Sequence, residues 1–301
     1  MTPITDNNSI EAWSRGIPYE VAFWNNVYRW RHTLDGMLGW SNYGSVIDLE
    51  MFDANAFLSS RTCPKVLDVG CGMSYATGNL LRKGGREVPL DIHYVDPLAS
   101  SFNKILARWK KDMPRIEPGM AECLSAFYPG HDVDLVIIQN ALDHSASPLK
   151  GIVEAMETLA VGGVLYLNHH PNEAETERYK GFHKYNIDID GDDLVIWNKA
   201  ERRSLRELVG GFASVGVRRH ASGHVIAVVT KLADVPPGLI DRAADLRCAC
   251  VGLLESHIGK LGMASAVAFA LRYRALNIVQ MAVQALPWGL KMGLKRMLKQ
   301  A

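Results

Sequence analysis

Between Lys65 and Leu232, short apolar runs alternate with stretches of helical spacing, the pattern of strands joined by crossover helices. KVLDV, LDIHYV, VDLVII and GVLYLN are apolar nearly throughout, as parallel strands buried on both faces are. A helix is expected around Ser204 to Phe212, followed by two more runs, VGVRR and HVIAVVTKL. Only HASG separates these two, so they read as a hairpin that gives the sheet an antiparallel final strand. Ahead of this block, Val21, Trp24, Val27 and Tyr28 recur at helical spacing. Such a helix packs on the neighbouring core, closes over a ligand pocket, or does both, because aromatic faces suit bulky ligands. Beyond Pro236 and Pro237 the pattern is helical to the end. The expected architecture is α/β, a doubly wound and mostly parallel sheet with an antiparallel final strand. An aromatic-rich helical cap is expected over residues 1–60, the core over 61–232 with an irregular insert at 171–201, and a basic helical extension over 233–301.

A chain of 301 residues is long enough for one such core with appendages. Lys and Arg number 33 against 32 Asp and Glu, a formal net charge of +1, which argues against a surface devoted to nucleic acid. The five cysteines, Cys63, Cys71, Cys123, Cys248 and Cys250, are scattered and odd in number, with neither a disulfide framework nor a paired zinc-type motif. Together with a polar start, MTPITDNNSI, this usage leads to the expectation of a cytoplasmic protein.

In KVLDVGCGMSYATGNL a strand delivers Asp68 into Gly70-Cys71-Gly72. Glycines there let the backbone turn tightly and approach a ligand, and a helix is expected to start near Ser74. A phosphate loop is excluded because no Gly-Lys-Ser/Thr follows, and the dinucleotide fingerprint because Tyr75 holds its third glycine position. A carboxylate beside the loop would repel a pyrophosphate and attract a cation. Further on, LDIHYVDPLA ends a second strand with Asp96, which can accept from both hydroxyls of a ribose or cap the following helix.

With these features the segment from Pro64 to Leu232 resembles the class I, Rossmann-like, S-adenosylmethionine-dependent methyltransferases. LDVGCGMS matches the family's acidic residue and G-x-G through Gly72, with Ser74 in place of a further glycine. PGMAECL resembles the adenine-binding segment at Ala121, Glu122 and Leu124, with Met120 where aspartate is usual, and VDLVIIQNALDH to AVGGVLYLN resembles the fourth strand, its helix and the fifth strand. The resemblance implies that Asp68, Gly70, Cys71, Gly72, Asp96, Ala121, Glu122 and Asn140 hold S-adenosyl-L-methionine, with S-adenosyl-L-homocysteine as product. Met120 would pack on the adenine, and Gln139 with Asn140 would lie near the methionyl end.

A sulfonium methyl is already activated, so the protein must mainly align a nucleophile and, for a hydroxyl, remove its proton. Four of the ten histidines, His144, His169, His170 and His183, follow strand ends at one rim of the expected sheet. A histidine is frequent in the family at the position of His144, which makes it the first choice of general base, followed by His169 and His170; Asp143 would orient His144 or act itself. Burial of both His169 and His170 is disfavoured, since adjacent imidazoles would need partners on both sides of the strand. No H-E-x-x-H or comparable ligand spacing occurs, and no metal is expected. Tyr179, Phe182, Tyr185 and Trp197 among the polar groups of the insert suit a small-molecule or glycan acceptor, whose ring stacks while its hydroxyls form hydrogen bonds.

From Ser256 onward seven basic residues, Lys260, Arg272, Arg274, Lys291, Lys295, Arg296 and Lys299, meet no acidic one. The uncharged run Ala275 to Leu290 is too short to span a bilayer, which takes about 20 residues. The C-terminal helices are open to three uses: packing on the core, a homodimer interface, or peripheral contact with an anionic membrane. The resulting expectation is an O-methyltransferase of a glycan or small metabolite, with no nucleic acid as partner. N- or C-methylation, or a non-catalytic nucleoside-binding regulatory protein, are the alternatives, and a dehydrogenase is the remotest.

Overall fold

The computed structural model describes residues 13–14, 16–29, 41–179 and 182–239, with isolated positions between 271 and 290. The basic residues of the tail lie outside the described residues, and no helix among those described is long and apolar enough to cross a membrane.

Alternation along the central strands decides how the core divides. In Val133–Gln139, Val136 and Ile138 turn to one face of the sheet and Leu135 and Ile137 to the other. The first pair packs with Ile152, Val153 and Met156, and the second with Ile47, Leu58 and Tyr166. A strand apolar on both faces must be covered on both, which is why its sequence shows no polar alternation.

The strands are β1 (Lys65–Val69), β2 (Leu80–Lys83), β3 (Arg86–Pro89), β4 (Asp91–Asp96), β5 (Glu117–Pro118), β6 (Val133–Gln139), β7 (Leu159–His169), β8 (Asn186–Asp190), β9 (Asp193–Trp197), β10 (Arg202–Ser204), β11 (Ala213–Arg219) and β12 (Val225–Lys231). The main helices are α1 (Ile17–Arg29), α2 (Ala54–Ser59), α3 (Ala99–Arg108), α4 (Pro148–Thr158) and α5 (Leu205–Val209). Seven strands form the principal sheet in the order β11-β12-β7-β6-β1-β4-β5. The pairings among β5, β4, β1, β6 and β7 are parallel, and β12 runs antiparallel to both β7 and β11, as the short HASG link requires. Ser204 caps the start of α5, its hydroxyl accepting from the backbone N–H of Glu207 at 3.0 Å.

The helix expected near Ser74 is absent. Loop residues run from Gly70 to Asn79 and lead into the β2–β3 hairpin. Two local features override the helix. Gly84 and Gly85 both take positive φ, as the two-residue turn pairing Lys83 with Arg86 demands. Gly78 lies where an added Cβ would come within 3 Å of three backbone atoms of Ser45, Val46 and Ile47, so the chain here is pressed against its neighbour.

The insert is also more ordered than its composition suggests. Residues after Asn186 form a three-stranded antiparallel sheet, β10-β9-β8, whose Ile187, Leu194 and Ile196 join the cluster around α4. That anchoring fixes the segment just before it, which carries Phe182 and His183.

Candidate functional site

The carboxyl ends of β1, β4 and β6 open onto one cleft. Gly70 and Gly72 edge it with positive φ, and each is closely covered: a Cβ on Gly70 would meet that of Ala141 at 2.5 Å, and one on Gly72 would meet the Trp24 ring at 2.9 Å. Tyr28 donates to the carbonyl of Met73 at 2.7 Å. The N-terminal helix α1 is therefore laid directly over the glycine loop, where a following helix would otherwise have capped it.

Asp96 ends β4 in the cleft. One carboxylate oxygen accepts from the N–H of Leu98 at 2.8 Å and the other from that of Gly72 at 3.1 Å. Burial nevertheless pushes its carboxyl up from 3.8 to about 7, because the two backbone donors do not match lost hydration and the charges of Glu20 and Asp68 add to the rise. Asp68 is raised to about 6, again by burial, with the Thr77 hydroxyl pulling the other way. Asp68 and Cys71 stand behind the loop, outside the cleft lining, and burial pushes the Cys71 thiol well up.

Met120, Ala121, Glu122 and Asn140 also line the cleft. Met120 is buried there, as packing on a flat ring would require. Glu122 has a structural task besides: one oxygen accepts from the N–H groups of Ala146 at 2.6 Å and Ser147 at 3.1 Å, at the start of α4. Asn140, at φ 47°, accepts from the N–H of His170 at 2.8 Å, whereas Gln139 turns away to the Thr77 hydroxyl.

Beyond β6 a single tight turn, Leu142–His144, presents Asp143 and His144. Asp143 Oδ2 accepts from His183 Nδ1 at 2.7 Å and stands 3.6 Å from His144 Nε2; the two imidazole nitrogens are 3.2 Å apart. Burial opposes the Asp143 charge, but His144 and His183 more than offset it and the carboxyl falls to about 2. Burial likewise opposes the His183 charge, and its bond to Asp143 reverses the balance, raising its pKa. The opposite wall is aromatic. Trp13 stacks on Phe182 with ring centroids 5.1 Å apart, and Trp13 Nε1 donates to the carbonyl of His144 at 2.8 Å.

Of the histidines favoured from sequence, His144 lines the cleft and His169 and His170 do not. His169 ends β7 and His170 follows it, and successive side chains point to opposite faces, so the two meet different surroundings. His170 is exposed and meets the His224 ring edge-on, with centroids 4.1 Å apart. His169 is buried with neither ring nitrogen bonded, and burial pushes its pKa down to about 4, so it stays neutral at pH 7. Trp13, Glu20 and Phe182 line the cleft without having been singled out as site residues. Glu20 in the first turn of α1 looks like an ordinary helix-dipole partner, and Phe182 was visible only as one aromatic of the insert.

The strand order places the parallel strands and the antiparallel β12 as expected from the resemblance, and residues 67–167 match the family described as methyltransferase domain. Residues 67–167 of the chain are a methyltransferase domain. No curated protein matches it significantly. Solved structures similar to the methyltransferase include a 16S rRNA methyltransferase from T. Thermophilus in complex with AdoMet and guanosine, at 16% identity and TM-score 0.34, covering 62% of this chain and 41% of that one. A methyltransferase from Clostridium acetobutylicum matches at 10% identity and TM-score 0.35, over 57% of this chain and 86% of the other. One from Aquifex aeolicus matches at 14% and TM-score 0.35, over 61% and 92%. Likenesses this loose add nothing to the domain match. The cleft's residues fit S-adenosylmethionine: glycines that leave no room for side chains, a buried carboxylate at Asp96, and the apolar side chains of Leu98 and Met120 are all on its wall.

Proposed function

We propose that the domain methylates a hydroxyl of a small polar acceptor with an apolar face, such as a sugar or a phenol, and that His144 takes the proton. The observation behind this reading is the placing of His144 on the cleft wall, between buried Asp143 and the aromatic pair Trp13 and Phe182. Bound in the cleft, S-adenosylmethionine would supply an activated methyl group. Gly70 and Gly72 would let its methionyl end approach the backbone, Asp96 would accept from the ribose hydroxyls, and Met120 and Leu98 would cover the adenine.

His144 turns Nε2 towards Asp143 and His183, so Nδ1 is the nitrogen that remains for the acceptor. With Nε2 protonated on the side that faces Asp143 and His183, Nδ1 keeps its lone pair, the arrangement a general base needs. As the ring gains the acceptor's proton, the ionised Asp143 stabilises the new charge in a site with little water. Phe182 and Trp13 would stack on the acceptor's apolar face and bind it at the mouth of the site.

The test is single-turnover transfer to a panel of hydroxylated acceptors with the wild-type chain and His144→Ala. The proposal expects transfer to oxygen, lowered about 100-fold or more in the variant with S-adenosylhomocysteine affinity retained. Equal rates, or a product methylated on nitrogen or carbon, would sink it.

A further inference from the structure

The contacts at Asp143, His144 and His183 hold more donor atoms than protons can connect. If His183 Nδ1 gives its proton to Asp143 Oδ2 at 2.7 Å, His144 Nε2 faces a nitrogen whose proton is already committed. If His144 Nε2 gives its proton to His183 Nδ1 instead, that nitrogen and the carboxylate oxygen meet as two lone pairs at 2.7 Å. The remaining link, His144 Nε2 to Asp143 Oδ2, is 3.6 Å and too long for a good hydrogen bond. A proton joins two of these atoms; a metal ion joins all three.

The triangle has the right size. With sides of 2.7, 3.2 and 3.6 Å, a point about 2 Å from all three corners exists just off their plane, and zinc–nitrogen and zinc–oxygen bonds are about 2 Å long. The three ligand atoms approach within the range that could hold one ion. A further oxygen is at hand in Glu173, whose Oε2 lies 3.8 Å from His183 Nδ1, and the His144 side faces the cleft. Two imidazoles and one carboxylate favour a borderline divalent ion over Mg²⁺ or Ca²⁺, which prefer oxygen alone. The backbone is braced for such a role: Trp13 holds the His144 carbonyl, and Lys184 N–H donates to that of Asp143 at 3.2 Å.

We propose that Asp143, His144 and His183 form a binding site for one divalent cation of the zinc type, at the acceptor end of the methyltransferase cleft. The site does not depend on which acceptor is methylated, but it bears on the base reading. A cation on His144 Nε2 confines the ring's proton to Nδ1, so the loaded ring cannot receive another from an acceptor. Cation and proton transfer compete for the same imidazole.

Chelator-stripped full-length chain titrated calorimetrically with Zn²⁺ alone, and with Co²⁺ followed by visible absorption, tests this. The expected result is one equivalent per chain, with Co²⁺ developing the intense bands of a four-coordinate site. His144→Ala and His183→Ala should each weaken Zn²⁺ binding about 100-fold while still binding S-adenosylhomocysteine, which shows the fold intact. His220→Ala, a histidine paired with Glu50 elsewhere, should leave the titration unchanged. Absence of a saturable equivalent, uptake that persists in the His144→Ala/His183→Ala double variant, or a loss with His220→Ala would each overturn the proposal. A chain that takes no Zn²⁺ yet loses transfer on His144→Ala would leave the base reading standing; one that binds Zn²⁺ at these residues yet methylates no hydroxyl would do the reverse.

Discussion

Asp96 at the end of β4 and Asp143 in the turn beyond β6 are equally buried, at 6% and 5% exposure, yet their carboxyls move in opposite directions, one up to about 7 and the other down to about 2. The difference lies in what the fold sets beside them. Asp143 has two imidazoles in contact, whereas Asp96 has only backbone N–H groups and two acidic neighbours, Asp68 and Glu20. In the half of the cleft at Asp143 the fold itself sets imidazoles against the carboxylate; in the half at Asp96 it sets no basic group, and a proton or a ligand must take that place.

Removing the Asp96 charge should give the largest effect. Asp96→Asn is expected to weaken S-adenosylhomocysteine binding about 100-fold by calorimetry, since an amide keeps one acceptor oxygen where the ribose would use two. The same substitution should reverse sign for the free protein. With a folded value of about 7 against an ordinary 3.8, the protonated carboxyl contributes stability that is full below pH 4 and is lost as pH rises through 7. Thermal melts of the ligand-free chain should thus lose stability between about pH 4 and pH 7, and less so in Asp96→Asn. Ligand should raise the melting temperature more at pH 8 than at pH 6. A wild-type melting curve whose pH dependence the variant leaves unchanged would remove Asp96 as its source.

At Asp143 the linkage runs the other way. Its lowered carboxyl contributes stability present above 3.8 and lost as pH falls towards 2, so Asp143→Asn should flatten the acid limb and destabilise the chain by about 1–3 kcal/mol at neutral pH. Transfer should drop about 100-fold while cofactor affinity holds, because His144 loses the carboxylate that stabilises its charge. A fall in affinity matching that of Asp96→Asn would erase the division between the two halves.

The two halves also differ in how far the sequence revealed them. Asp68, Gly70, Gly72 and Asp96 sit at strand ends, where a short local pattern fixes both conformation and position, and the cleft received all but Asp68. The acceptor half is assembled from distant chain segments: Trp13 bonds to His144 across 131 positions, and His183 meets Asp143 across 40. No local periodicity encodes such a meeting, and a linear search for ligand spacing passes over it. Two misreadings had a usable signal. Gly84-Gly85 between LLRK and REVP marks a hairpin that the expectation of a helix obscured, and the two-residue period of β7 separates His169 from His170.

A smaller effect is expected at the aromatic wall. Phe182→Ala removes the partner of Trp13 and the ring beside His144, 5.9 Å away, without touching the Asp96 side. Acceptor KM should rise about tenfold with kcat changed less, as for loss of a contact made equally in ground and transition states. Should kcat fall as steeply as KM rises, the ring would instead be aligning the acceptor for transfer.

The smallest expected change is also the one that joins the two halves. Glu20 reaches the cleft from α1, where Oε1 accepts from Trp24 Nε1 at 3.0 Å, and its charge adds to the upward pull on Asp96. Glu20→Gln keeps the helix and an acceptor for Trp24 but removes that repulsion. The pH at which S-adenosylhomocysteine binding falls away should therefore move lower, with affinity at pH 8 altered by no more than about threefold. A loss of tenfold or more at pH 8 would mean that Glu20 meets the ligand's ammonium group directly. In that case the N-terminal helix supplies part of the cofactor site, and the negative charge of that half comes from three segments of the chain.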